Sequence, residues 1–102
     1  MIGSLTLDQL RILVTIAEAG SFSAAGRELR RAQSAVSQAV SNLEAIQGVE
    51  LFDRRGRRPR LTDVGRVLVD QARSVLASAT RFEAIAASTR AGVEPELTIA
   101  ID

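Results

Sequence analysis

The sequence predicts a mainly α fold, a winged helix-turn-helix of three helices and a two-stranded wing, followed by a long C-terminal helix. Three observations predict it. Apolar residues recur at helical spacing in three successive segments between residues 7 and 47. Five arginines surround one glycine in DRRGRRPR, residues 53–60, which indicates a basic hairpin. A helical pattern without proline then runs from residue 62 to Gly92.

The composition is that of one small globular domain, and it excludes several kinds of site. The chain has 102 residues, of which 46% are hydrophobic and 25% are charged. It has neither cysteine nor histidine, which argues against disulfides, zinc sites and a histidine general base. The first residues lack a signal-peptide pattern, and no apolar run reaches membrane-spanning length. We therefore expect a cytoplasmic protein without membrane contact.

The first two helices can be placed from their capping residues. Thr6 and Gln9 form a capping-box pattern ahead of an apolar stripe, and Gly20 is suited to end that helix. Ser21 or Ser23 is expected to cap a short second helix. A short helix, a tight turn and a second helix with a polar outer face make a helix-turn-helix.

The third predicted helix, about residues 33–47, has two unlike faces. Val36, Val40 and Leu43 form a buried stripe, and Gly48 ends the helix. The other face is small and uncharged, whereas a face that meets only water usually carries Glu, Lys and Arg. Short donors and acceptors suit base edges and phosphates, so DNA contacts are predicted at Gln33, Ser34, Ser37, Gln38, Ser41 and Asn42. A solvated polar face is the alternative.

Within this set, Gln38 is expected to contact a base and Ser37 a base or a phosphate. Ser23 is expected to lie near a phosphate, since the first helix of a helix-turn-helix crosses the DNA backbone. Arg30 and Arg31 precede the third helix. Each is expected either to contact the DNA backbone or to lie in solvent.

The arginine-rich segment predicts the wing, with Gly56 at its tip and residues 57–61 as the return strand. Pro59 confines that strand to an edge. Phosphate or minor-groove contacts are predicted at Arg54, Arg55, Arg57 and Arg58. A solvated turn is the alternative for all four, and Arg54 has the further alternative of pairing with Glu50 or Asp53.

The long helix outruns the compact part of the chain and cannot bury its apolar stripe there. A second copy of the chain is the simplest partner, so the helix is predicted to form a homodimer. Plain intramolecular core is the alternative. Residues 97–102 alternate like a strand with nothing to pair with, which suggests a further domain. The predicted dimerisation stripe is Val64, Leu68, Ala72, Val75, Ala79, Phe82 and Ala86.

The segments GSFSAAGREL, QSAVSQAVSNLE and GVELFDRRGRRPRLTDVG resemble, in order and spacing, those of LysR-type bacterial transcriptional regulators. The resemblance covers roughly residues 5–92. It implies a sequence-specific, non-enzymatic regulator with a DNA-binding domain over residues 1–61 and a dimerising linker helix over residues 62–92. Residues 93–102 then look like the start of an effector-binding domain.

The same resemblance implies the partners. These are double-stranded DNA at imperfect inverted repeats, a second copy of the chain with tetramers in the full-length protein, and RNA polymerase as a candidate. A small-molecule effector is expected for the C-terminal domain, and no cofactor is expected in this fragment.

The sequence departs from the common family pattern at three places. Ser34 or Ala35 stands where many members have proline. Gln38 stands where many have arginine, which shifts the favoured base from guanine toward adenine. Gly26 stands where a better helix former is common, at a cost of up to ~1 kcal/mol in helix propensity.

Two rival functions follow from the residues alone. A helical protein-interaction module would bind DNA weakly, with no sequence preference. An enzyme would need a carboxylate pair, and none of the 12 acidic residues lies in a catalytic motif.

Overall fold

The computed structural model describes residues 4–90, which form four helices and a two-stranded antiparallel sheet. Helix α1 spans Leu7–Ala19 and begins with the predicted capping box. The Thr6 hydroxyl accepts the Gln9 N–H at 3.1 Å, and the Gln9 side-chain oxygen accepts the Thr6 N–H at 3.0 Å. Gly20 ends α1 at a φ of 90°, a left-handed conformation that favours glycine.

Helix α2 spans Phe22–Leu29, and its cap is Ser21 rather than Ser23. The Ser21 hydroxyl accepts the Ala24 N–H at 3.0 Å. Gly26 is buried, and a Cβ atom there would lie 2.8 Å from the Arg31 carbonyl oxygen. Gly26 therefore lets the turn between the two helices pass directly over α2, which explains why this position lacks a better helix former.

Helix α3 spans Gln33–Gln47 and ends at Gly48, as predicted. The wing follows, with β1 at Phe52–Asp53 and β2 at Arg60–Leu61, and Phe52 lies opposite Leu61. The predicted return strand was too long, because the ladder begins only at Arg60. Pro59 has no N–H to donate and lies just before the strand rather than within it.

Helix α4 spans Asp63–Arg90. The Thr62 hydroxyl accepts the Gly65 N–H at 2.9 Å, which confirms the predicted N-cap. Gly92 and the predicted strand over 97–102 lie outside the described residues. No helix within residues 4–90 has both the length and the apolar character needed to cross a bilayer.

One hydrophobic core holds these elements together. The largest completely buried side chains are those of Leu13 on α1, Val36 and Val40 on α3, and Leu51 just before the wing. The beginning of α4 joins the same core through Val69 and Ala72. Burial of α3 on this side fixes which of its faces meets solvent.

Candidate nucleic-acid interface

The polar face of α3 consists of Gln33, Ser34, Ser37, Gln38, Ser41 and Asn42. Five of these residues are exposed and Ser37 is half-buried, because Val36, Val40 and Leu43 turn the opposite face into the core. The structure thus brings the six predicted residues together on one accessible surface. This surface carries no charge.

Two side chains on this face are already joined. The Gln38 Nε2 donates a hydrogen bond of 3.0 Å to the Asn42 Oδ1, one helical turn further along. The bond leaves the Gln38 amide with one free N–H and a free carbonyl oxygen. Gln38 therefore presents one donor and one acceptor toward solvent.

The beginning of α3 is open. Ala32 occupies the N-cap and makes no side-chain cap, so the first amides of the helix have no side-chain acceptor there. Ser34 is exposed beside them. Such a helix end suits a phosphate, since amide N–H groups and the helix dipole both favour an anion.

The four wing arginines predicted to bind DNA are not equivalent. Arg54 lies 3.1 Å from the Glu44 carboxylate and 5.7 Å from the centre of the Phe22 ring. Its partner is therefore Glu44, not Glu50 or Asp53. Arg55 binds both carboxylate oxygens of Asp53 at 3.0 and 2.8 Å.

The other two of these four arginines, Arg57 and Arg58, are exposed and form no ion pair among residues 4–90. Hydrogen bonds from the Arg55 side chain and backbone favour the charged form of Asp53 and lower its pKa to about 2. Among the four wing arginines predicted to bind DNA, Arg57 and Arg58 are the most available to a phosphate.

The residues around the turn between α2 and α3 also differ in availability. Arg31 binds Asp8 of α1 through two hydrogen bonds of 2.8 and 2.9 Å, and this guanidinium holds the pKa of Asp8 below its usual value. Arg30 is exposed at a φ of 58°. Ser23 is half-buried and accepts a long hydrogen bond of 3.5 Å from Arg27.

The residues of the stripe predicted on α4 differ in their exposure. Ala72 is 1% exposed and belongs to the core of its own chain, so its assignment to a dimer surface was wrong. Val64, Val75 and Phe82 are exposed, Phe82 by 73%. Leu68 and Ala79 are half-buried, and Ala86 is exposed.

Sequence reasoning missed the acidic partners of the arginines, namely Asp8, Glu44 and, for Arg55, Asp53. Asp53 stands two positions from Arg55 and could have been found from spacing. Asp8 and Glu44 lie 23 and 10 positions from their partners, a separation that only the tertiary fold closes.

The family model for "bacterial regulatory helix-turn-helix protein, lysR family" matches residues 7–66. The chain belongs to the lysR family. The match spans α1 to the beginning of α4 and includes the polar face of α3 and the wing.

Curated lysR-family relatives carry the names of transcriptional regulators. The probable regulator YhaJ of Escherichia coli K12 is 42% identical over 96 residues, which are 94% of this chain and 32% of the relative. A probable RuBisCO transcriptional regulator of Trichormus variabilis is 51% identical over 71 residues, 70% of this chain and 21% of the relative. The chain thus spans a third or less of the length of these relatives.

Solved lysR-family structures share the fold. The BenM DBD in complex with catB site 1 DNA matches with a TM-score of 0.82 and 27% identity, over 86% of this chain and 95% of that one. The CbnR DBD–DNA complex matches with a TM-score of 0.79 and 30% identity, over 84% and 99%. The winged helix-turn-helix fold predicted from the sequence is confirmed.

Proposed function

We propose that this chain is the DNA-binding part of a transcriptional regulator and binds double-stranded DNA sequence-specifically. The observation that carries the proposal is the uncharged polar face of α3 beside the available arginines of the wing. The major groove of B-DNA admits an α-helix, and the polar face of α3 offers hydrogen-bond donors and acceptors on short side chains. The relatives named as regulators and the two DNA complexes support this assignment.

Gln38 is the residue that reads a base. With one N–H held by Asn42, its amide keeps a donor and an acceptor, the pair that glutamine uses toward N6 and N7 of adenine. Ser37 and Ser41 contact bases or phosphates from the same face. The open beginning of α3, with Ser34, binds a phosphate.

Arg57 and Arg58 bind phosphates or the minor groove next to the site that α3 reads. Arg30 contacts the DNA backbone near the beginning of α3. Ser23 on α2 lies near the same DNA backbone. Arg31, Arg54 and Arg55 contribute less to DNA binding, because each is already bound by a carboxylate.

Two copies of the chain dimerise through the exposed apolar residues of α4, which carries no buried residue beyond Ala72. A two-fold dimer presents two α3 helices and therefore binds an inverted repeat. In the whole protein, a C-terminal domain binds a small effector. The whole protein assembles into tetramers and contacts RNA polymerase. A regulator with these partners works in the cytoplasm.

The test is the selection of duplex DNA from a random pool by this chain at near-physiological salt, followed by sequencing. Enrichment of an inverted repeat is the expected result, and it would establish base reading and a two-fold dimer together. An unenriched pool would contradict base reading and favour the rival protein-interaction module, whose basic residues bind any DNA weakly.

A further inference from the structure

A single carboxylate on α3 holds the root of the wing, residues 50–52, where the chain enters β1. Glu44 Oε2 accepts the backbone N–H groups of Leu51 and Phe52 at 2.8 and 3.2 Å. Glu44 Oε1 accepts a hydrogen bond of 3.1 Å from Arg54. The Glu44 side chain is only 12% exposed, so these bonds form with little competition from water.

The wing root is held from the other side by the beginning of α4. The Leu51 carbonyl oxygen accepts the Thr62 N–H at 3.0 Å. The Thr62 hydroxyl lies 2.6 Å from the Glu50 carbonyl oxygen. A Cβ atom at Gly65 would clash with the Leu51 carbonyl oxygen, so α4 lies directly against this peptide. The segment before the wing is therefore fixed between α3 and α4.

Arg54 completes the arrangement. Its guanidinium lies over the Phe22 ring of α2, and that ring packs edge to face against Phe52 with 5.2 Å between the centres. The side chain is bound by a carboxylate and stacked on an aromatic face. Arg54 therefore fastens the wing to the helix pair.

We infer that Glu44, assisted by Arg54, is a positioning residue for DNA binding, and the inference rests on the function proposed above. Glu44 sets the distance between the polar face of α3 and the wing loop that carries Arg57 and Arg58. With that distance fixed, the arginines meet phosphates while Gln38 meets a base. Without it, α3 stays packed through Val36, Val40 and Leu43, whereas the wing keeps its contacts with α4 and the core but loses its hydrogen bonds to α3. The distance between the arginines and the polar face is then no longer fixed.

The test is a double-mutant cycle on the selected inverted repeat. Affinity is measured over a range of salt concentrations for the parent chain, Glu44→Ala, Arg57→Ala with Arg58→Ala, and the chain with all three changes. The two arginine changes are expected to reduce the salt slope by about one unit per arginine in each half-site. Glu44→Ala should reduce the slope similarly, and the arginine changes should then have no further effect.

Two readouts separate positioning from a general structural role. Base preference at the Gln38 position is expected to persist in Glu44→Ala, because α3 keeps its packing. Glu44→Gln is expected to restore part of the slope, since its amide oxygen still accepts the backbone N–H groups of Leu51 and Phe52. Arg54→Ala is expected to give an intermediate slope, and it carries the test together with Glu44→Gln if Glu44→Ala fails to fold.

Glu50→Ala is the matched control, because Glu50 is an exposed carboxylate at the same wing root. Removing a negative charge near DNA strengthens binding by electrostatics alone. Glu50→Ala should therefore bind at least as tightly as the parent, whereas Glu44→Ala binds more weakly. Additive effects of Glu44→Ala and the arginine changes would overturn the inference. A parent chain without sequence preference would instead overturn the proposed function.

Discussion

At the scale of single residues, Gln38 carries the sharpest expectation for base reading. Gln38→Ala should relax the preference at one base position and cost about 1–3 kcal/mol at the best site, with folding retained. The change in base preference is measured as the binding affinity for a panel of single-base variants of the selected repeat. Gln47→Ala is the matched control, because Gln47 is exposed at the C-terminal end of α3, away from the polar face. Equal losses on every DNA sequence would contradict base reading by Gln38.

Gly26 shows that a poor helix former can be the best residue at its position. Gly26→Ala gains up to ~1 kcal/mol of helix propensity. The added Cβ, however, would lie 2.8 Å from the Arg31 carbonyl oxygen, and such overpacking costs about 1–3 kcal/mol. We expect a lower Tm by circular dichroism.

The matched control for Gly26→Ala is Gly56→Ala, since a Cβ at Gly56 meets nothing within 4 Å. That change should leave the Tm unchanged or slightly raised. A Tm for Gly26→Ala at or above that of the parent would mean that moving the turn after α2 costs no more than the gain in helix propensity.

Asp53 is expected to titrate far below an ordinary aspartate. The Arg55 side chain and backbone both donate to its carboxylate, which lowers the pKa to about 2. An NMR titration of the Asp53 carboxyl should show this midpoint, and Arg55→Ala should raise it toward 3.8. The charged pair is complete above pH 4 and is lost as the pH falls toward 2. An unchanged midpoint in Arg55→Ala would assign the shift to another group.

At the scale of elements, the wing separates arginines that hold the fold from arginines that are free for DNA. Arg58→Ala should flatten the salt dependence of binding by about one unit for each half-site, and Arg57→Ala should do the same. Arg55→Ala should flatten it less, because Arg55 must give up Asp53 to reach a phosphate. The slope of log affinity against log salt measures this. Equal slopes for Arg55→Ala and Arg58→Ala would show that the pair with Asp53 opens on DNA.

The same scale shows what sequence alone can predict. The beginnings of α1 and α4 depend on capping side chains three positions away, such as Thr6 with Gln9, and α1 and α3 end at Gly20 and Gly48. All of these were predicted correctly. The polar face of α3 was also predictable, because its opposite stripe repeats at helical spacing. The pairs of Arg31 with Asp8 and of Arg54 with Glu44 were not, because they join different elements. Ala72 was misassigned because its spacing fits the stripe equally well whether α1 or a second chain covers it.

At the scale of the whole molecule, α4 extends far beyond the core that stabilises it. A helix of 28 residues is ~42 Å long, and only Gly65, Val69 and Ala72 on it are buried. Beyond them, Val75 is 41% exposed and Phe82 73% exposed. Most helices in water depend on burial of one face, so this part of α4 needs a partner. The second copy proposed above would supply the same stripe in a two-fold arrangement.

Phe82→Glu should therefore weaken the dimer. Burying a phenylalanine is worth about 1.5–3 kcal/mol, and a two-fold interface contains the residue twice. The dimer dissociation constant should rise more than tenfold, as measured by sedimentation equilibrium. The core and α3 are untouched, so each chain should still fold and bind a half-site weakly. Thr80→Glu is the matched control, because Thr80 is exposed on the other side of α4. If Phe82→Glu dimerises like the parent, the two copies meet through a surface other than this stripe.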